Sequence, residues 1–189
     1  MKVLGKLRAL PILFLGLAAG AAFALAGPPS ALWIDVPFLA QSKDGCGSAS
    51  IAMVMRYWQP KDKQATTSAA NPEKIQAALF SRAAGGIPAS SMEKYFQESG
   101  YRVFAFQGEW SDLQHHLEQG RPLIVCLKPS ERHGPSHYAV VVGIDSERGY
   151  VFLNDPAQQK MLRVSREGFE REWTYTQNWT LLALPRTAD

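Results

Sequence analysis

The chain has 189 residues, 46% of them hydrophobic, which suits one ordinary globular domain. Its formal charge of +3 comes from 20 basic against 17 acidic residues, and Lys2, Lys6 and Arg8 account for the whole excess. Without those three the two signs balance, so nothing argues for a nucleic-acid partner.

The three basic residues precede an apolar run over residues 9–23, and Ala24-Leu25-Ala26 supplies a small-x-small cleavage site. This order reads as a secretory signal peptide over residues 1–26, leaving a mature domain over 27–189 that is exported to the periplasm or beyond. The competing reading is an uncleaved anchor. Pro11 and the many alanines and glycines make a poor spanning helix, so no stable membrane anchor is expected after cleavage. Two cysteines remain, Cys46 and Cys126, where a disulfide is allowed. Cys126 lies in the apolar run of residues 122–127 and reads as a core thiol of a buried strand.

Residues 27–32 read as a tether and 33–39 as a short or edge strand, since Pro37 removes a ladder donor. A turn-prone loop, Gln41-Ser42-Lys43-Asp44-Gly45, then ends at Cys46, which opens a helix to about Trp58 with almost no polar face. Such a helix must be surrounded by other elements. Residues 61–70 are polar and low in complexity, which suits a surface loop. Asn71-Pro72-Glu73 starts a second helix, with Asn as cap and Pro at the first position. It should run to about Arg82, and a third helix should span residues 89–99, stopped by Gly100. After that the pattern changes to strands at 101–106, 122–127, 137–144, 150–154, 161–164 and 179–184. A helix capped by Ser111 falls between the first two, and a helical turn at 168–173. A helical first half and a stranded second half make the fold class α+β.

The chemistry starts at Cys46. Unpaired N–H groups and the macrodipole at a helix N-terminus favour the thiolate, the nucleophilic form. The flanking Gly45 and Gly47 are expected to keep the sulfur reachable. A base is needed, and of four histidines His115 and His116 read as a solvated helix face, while His133 sits in a loop. His137 opens an apolar strand, whose rigid end holds an imidazole better.

The orienting acid follows from hairpin register. If Ile144 pairs with Tyr150 across the tight turn, Ala139 faces Asp155, which becomes the diagonal neighbour of His137. A slip of one residue would put Asn154 there instead, and a turn-capping role for Asp155 is the bland alternative. Attack on a carbonyl also needs donors for the oxyanion. The Cys46 N–H is one, and the side chain of Gln41, five residues earlier, is the other.

The segment Val36-Pro37-Phe38-Leu39-Ala40-Gln41 through Asp44-Gly45-Cys46-Gly47-Ser48-Ala49 resembles the start of papain-like cysteine peptidases. It is most similar to the bacteriocin-processing, double-glycine leader peptidases and their stand-alone relatives. His137-Tyr138-Ala139-Val140-Val141-Val142-Gly143 and Asn154-Asp155-Pro156 resemble that group's later motifs. The resemblance implies a papain-like α+β fold with Cys46 as nucleophile, His137 as base, Asp155 orienting it and Gln41 lining the oxyanion hole. The substrate is then a peptide or protein, cleaved through a thioester, and no metal or organic cofactor is required. An amidase, a cell-wall peptide hydrolase or an acyl transferase would use the same scaffold. A non-catalytic binding domain with a Cys46–Cys126 bridge is the reading from a different class.

Overall fold

The computed structural model describes residues 31–61, 67–129 and 134–186. The segment read as a signal peptide, His133 and half of the polar 61–70 loop lie outside these. In chain order the elements are β1 (Ala31–Trp33), α1 (Cys46–Trp58), α2 (Pro72–Leu79), α3 (Ala89–Glu98), β2 (Tyr101–Gln107) and α4 (Trp110–Glu118). They continue with β3 (Leu123–Leu127), β4 (His137–Asp145), β5 (Tyr150–Asn154), β6 (Leu162–Ser165), α5 (Arg166–Thr174) and β7 (Trp179–Pro185). No helix among the described residues is long and apolar enough to cross a membrane.

The strands form one sheet in the order β2-β7-β3-β4-β5-β6, with β1 added beside β4. All the pairings are antiparallel. β3 covers β4 from His137 to Val141 and β1 covers it from Gly143 to Asp145, so the two share one side of that strand. β4 is therefore paired along nearly its whole length on that side and from Val140 onward on the β5 side, and only His137 of its nine residues is not buried. α1 packs on β4 and β3 with α2 and α3 beside it, while α4 and α5 pack on β4, β3, β5 and β6. Trp110 of α4 meets Phe169 of α5 edge-on. Because β3 and β4 are buried on both faces, these two helix groups sandwich the sheet.

Local chemistry explains several boundaries. The Asn71 side chain accepts from the Lys74 N–H at 2.8 Å, with Pro72 at the first helical position. α2 stops at Leu79, short of the expected Arg82, because Ser81 and Gly86 bridge across a tight turn. α4 starts one residue before the expected Ser111. Its cap is Glu109, in a reciprocal box with Asp112. The tether ends early, since residues 31–33 already pair with β4. After one more backbone bond, Ile34 N–H to Val142 O at 2.8 Å, residues 35–39 add nothing to the strand, against the expectation of a strand to Leu39. His116 is half-buried beside Phe106 rather than on a solvated face. Ala70, at the end of the polar loop, is buried, and the Tyr95 hydroxyl donates to Ala69 O at 2.8 Å.

The hairpin that carries the later motifs contains an irregularity. Near the turn Asp145 faces Tyr150 and Ile144 faces Val151, one residue away from the expected Ile144–Tyr150 pairing. The register then shifts between Val141 and Gly143, and Val140 faces Asn154. Val142 is the extra residue of a β-bulge. Continuing by one step sets Ala139 opposite Asp155, so the bulge cancels the offset at the end where the side chains of interest lie. Gly143 beside it is required by close approach: a Cβ there would stand 2.9 Å from both Leu32 O and the Trp33 Cβ.

Candidate active site

α1 begins at Cys46 because the chain turns sharply just before it. The Gly45 N–H donates to Ser42 O at 3.0 Å, Asp44 takes a left-handed φ of 56°, and Gln76 Nε2 of α2 donates to Asp44 O at 3.2 Å. No side chain caps this helix and its first turn carries no acid, so its N–H groups and dipole face the sulfur without local competition. The glycines serve packing rather than access. A Cβ on Gly45 would meet Ser42 Oγ at 2.9 Å, and one on Gly47 would meet the Ile87 Cβ at 3.0 Å. Both are buried while Cys46 between them is half-exposed.

His137, at the first position of β4, is hydrogen-bonded to the Cys46 thiol. Its Nε2 meets Asp155 Oδ1 at 2.8 Å, which leaves Nδ1 for the sulfur. Asp155 is nearly inaccessible, and its carboxylate is fully engaged. Oδ1 also accepts from the Ala157 N–H at 2.8 Å, and Oδ2 accepts from Gln158 Nε2 at 2.8 Å. Asn154, the alternative from a slipped register, is buried on other business. Its Nδ2 donates to Val36 O at 3.0 Å and its Oδ1 accepts from the Met161 N–H at 3.1 Å.

These bonds set the charges. Burial works to raise the Cys46 pKa, but the His137 hydrogen bond, the Tyr138 and Gly47 N–H groups and the imidazolium charge outweigh it and hold the thiol below its usual range. Burial works to lower that of His137. The bonds and charges of Asp155 and Cys46 outweigh it, and the imidazole is pushed up to about 9. Burial likewise works to raise Asp155, and His137, Ala157 and Gln158 hold it below the ordinary carboxylate value. These shifts favour the thiolate–imidazolium pair over the neutral thiol and imidazole. Nearby Cys126 is a free thiol whose pKa burial pushes up to about 11, and burial also raises Tyr138, so neither charges in the same range.

Gln41 is drawn to the same corner. Its N–H donates to Pro156 O at 2.8 Å, next to Asp155, and its side-chain Oε1 is buried with no hydrogen-bond partner. Two more ties hold this approach segment to the loop after β5: Asn154 on Val36, and Lys160 Nζ on Asp35 Oδ1 at 2.7 Å. Residues 35–41 and 154–160 are therefore stitched together at three points.

Cys46, His137 and Asp155 lie far apart in the chain and meet in one connected run of hydrogen bonds; Gln41 is tethered beside them. His115 and His116 are not part of it: His115 lies by Gln119 on α4 and His116 by Phe106. The residues that sequence reasoning missed are Asn154 in its clamping role, Gln158 and Ala157. The Asn-Asp-Pro turn carried a signal for the first, and nothing marked the other two.

The fold has solved relatives. A C39-like peptidase from Bacillus anthracis superposes with a TM-score of 0.63 at 15% identity, covering 82% of this chain and 98% of that one. A double-glycine motif protease from an AMS/PCAT transporter, solved with its leader peptide, gives 0.60 at 22% identity, with 81% and 94% covered. The peptidase domain of Streptococcus ComA, a bifunctional ABC transporter, gives 0.61 at 19% identity, with 80% and 100% covered. No curated protein sequence matches the chain. The Peptidase_C39 like family does, over residues 33–180. The chain therefore belongs to that family and is a cysteine peptidase of papain-like α+β fold.

Proposed function

We propose that Cys46, His137 and Asp155 form the catalytic triad of an exported peptidase, with residues 1–26 removed on export and 27–189 as the working domain. The Cys46 thiolate attacks the carbonyl carbon of a peptide bond, and the carbonyl π electrons move onto oxygen. The Cys46 N–H and Gln41 Nε2 donate to that oxyanion. The His137 imidazolium gives its proton to the leaving nitrogen, the C–N bond breaks and a thioester remains. Water then attacks the thioester, Nδ1 of His137 takes its proton, and collapse releases the carboxylic acid and restores the thiolate. Asp155 holds the ring orientation and its charge throughout.

The observation that carries this reading is the unbroken path from the sulfur through the imidazole to a buried carboxylate, with the uncapped α1 N-terminus behind the sulfur. A peptide substrate fits the family, and one solved protease of this fold holds a leader peptide. The test is alkylation by iodoacetamide at pH 7, read by mass spectrometry. Labelling should fall on Cys46 and disappear in Cys46→Ala, while Cys126→Ala keeps it. Equal labelling of both thiols in the folded protein would count against a tuned nucleophile.

A further inference from the structure

The three donors on Asp155 are of different kinds. His137 is its partner in the site, and the Ala157 N–H belongs to the backbone of the turn. Among the described residues, Gln158 is the only other side chain that meets the carboxylate, and it takes the oxygen that His137 does not use. Its position follows from the turn. Gln158 N–H donates to Asp155 O at 3.0 Å and Asp155 N–H to Gln159 O at 3.1 Å, which folds Gln158 back over the residue three places before it. The carboxylate is nearly inaccessible while Gln158 is exposed, so the amide closes the outer side of a buried anion.

We propose that Gln158 is a positioning residue: by holding Asp155 Oδ2 it fixes the plane of the carboxylate so that Oδ1 faces His137 Nε2. The last torsion of a carboxylate is broad and has no staggered wells to stop it. Oδ1 lies off that axis, so its two donors resist the turn from one side, and the third on Oδ2 resists it from the other. A turning carboxylate supports the imidazolium less, and the thiolate loses with it. This inference rests on the reading of Cys46 and His137 as nucleophile and base, but it concerns a residue that touches neither.

The groups whose charge bears on the pair are Asp155 from the turn after β5, Cys46 from α1, and Cys126 and Tyr138, which stay neutral below about pH 11. The test is the pH profile of Cys46 alkylation by iodoacetamide in Gln158→Met, which keeps length and loses the donor. The thiolate–imidazolium window should narrow from both sides by about half a pH unit, a threefold change in rate on each limb, at unchanged Tm. Asp155→Ala should narrow it further, and Gln159→Ala, an exposed neighbour whose backbone bond survives, should leave it as it is. A wild-type window in Gln158→Met, with labelling still confined to Cys46, would overturn this proposal alone. So would an equal shift in Gln159→Ala, which would assign the effect to the turn as a whole. Labelling that persists in Cys46→Ala would overturn the parent reading and this one with it.

Discussion

Cys46 and Cys126 are one functional group in two settings. Cys46 stands at the mouth of an uncapped helix, hydrogen-bonded to an imidazole, and ionises early. Cys126, on β3, faces Tyr138 of β4 in a strand with hydrogen-bonded backbone on both sides, and ionises late, at about 11. Burial opposes the thiolate in both. What differs is the supply of compensating donors: His137 and two N–H groups at Cys46, and the Ser136 side chain alone at Cys126. Low pKa at a buried thiol is thus a property of arranged dipoles and not of exposure.

The largest expected effect breaks the comparison at its active end. Cys46→Ala should remove peptide cleavage by about 10⁴-fold or more, since nucleophile and base act as a unit. His137→Ala comes next and moves Cys46 toward Cys126. Alkylation of Cys46 at pH 7 should drop and recover only as the pH approaches ordinary thiol values near 8.5. In the native protein the rate should instead rise at a lower pH than that and change again as His137 deprotonates near 9.

The same shift predicts a sign for stability. His137 binds its proton more tightly folded than unfolded, where its pKa is about 6.5. Its contribution is therefore fully present below that value and is lost as the pH rises through about 9. The gap in urea midpoint between native protein and His137→Ala should be wide near pH 6 and small at pH 10. Asp155→Asn should act more weakly, lowering cleavage about 10- to 100-fold, because the amide still accepts a bond but supplies no charge. At the far end of the scale, Cys126→Ala should leave alkylation unchanged and cost about 1–2 kcal/mol of stability, measured by urea unfolding.

Much of this was legible in order of how local the cause is. The α1 boundaries follow from an apolar run that starts at a turn and ends at Gln59-Pro60, and α2 from its Asn-Pro start. Caps that need side-chain geometry were less so: Ser111 is the better capping residue type, yet Glu109 does the capping, because Asp112 answers it. The roles of Gly45 and Gly47 were misread. Openness and tight packing leave the same residue in the sequence, and only Ser42 and Ile87 decide between them. The meeting of His137 with Asp155 was reached from a pairing that is wrong at the turn and right at the far end. The bulge that reconciles the two sits where β1 docks against Gly143, a contact spanning more than a hundred positions. No local pattern announces it.

That single surplus valine has a consequence for how the hairpin tolerates change. A ladder counts in twos, so drawing Val142 into it opposite Leu153 would advance one arm by a residue and set a carboxamide on the ring's side in place of an acid. Excising Val142 would instead leave the pairs beyond it as they are. Lengthening the tip around Ser146–Arg148 alters no parity downstream of the kink. Drift at the hairpin's tip is harmless to the chemistry, and so is one lost codon at the kink, whereas a ladder closed over the surplus residue trades an anion for a neutral amide.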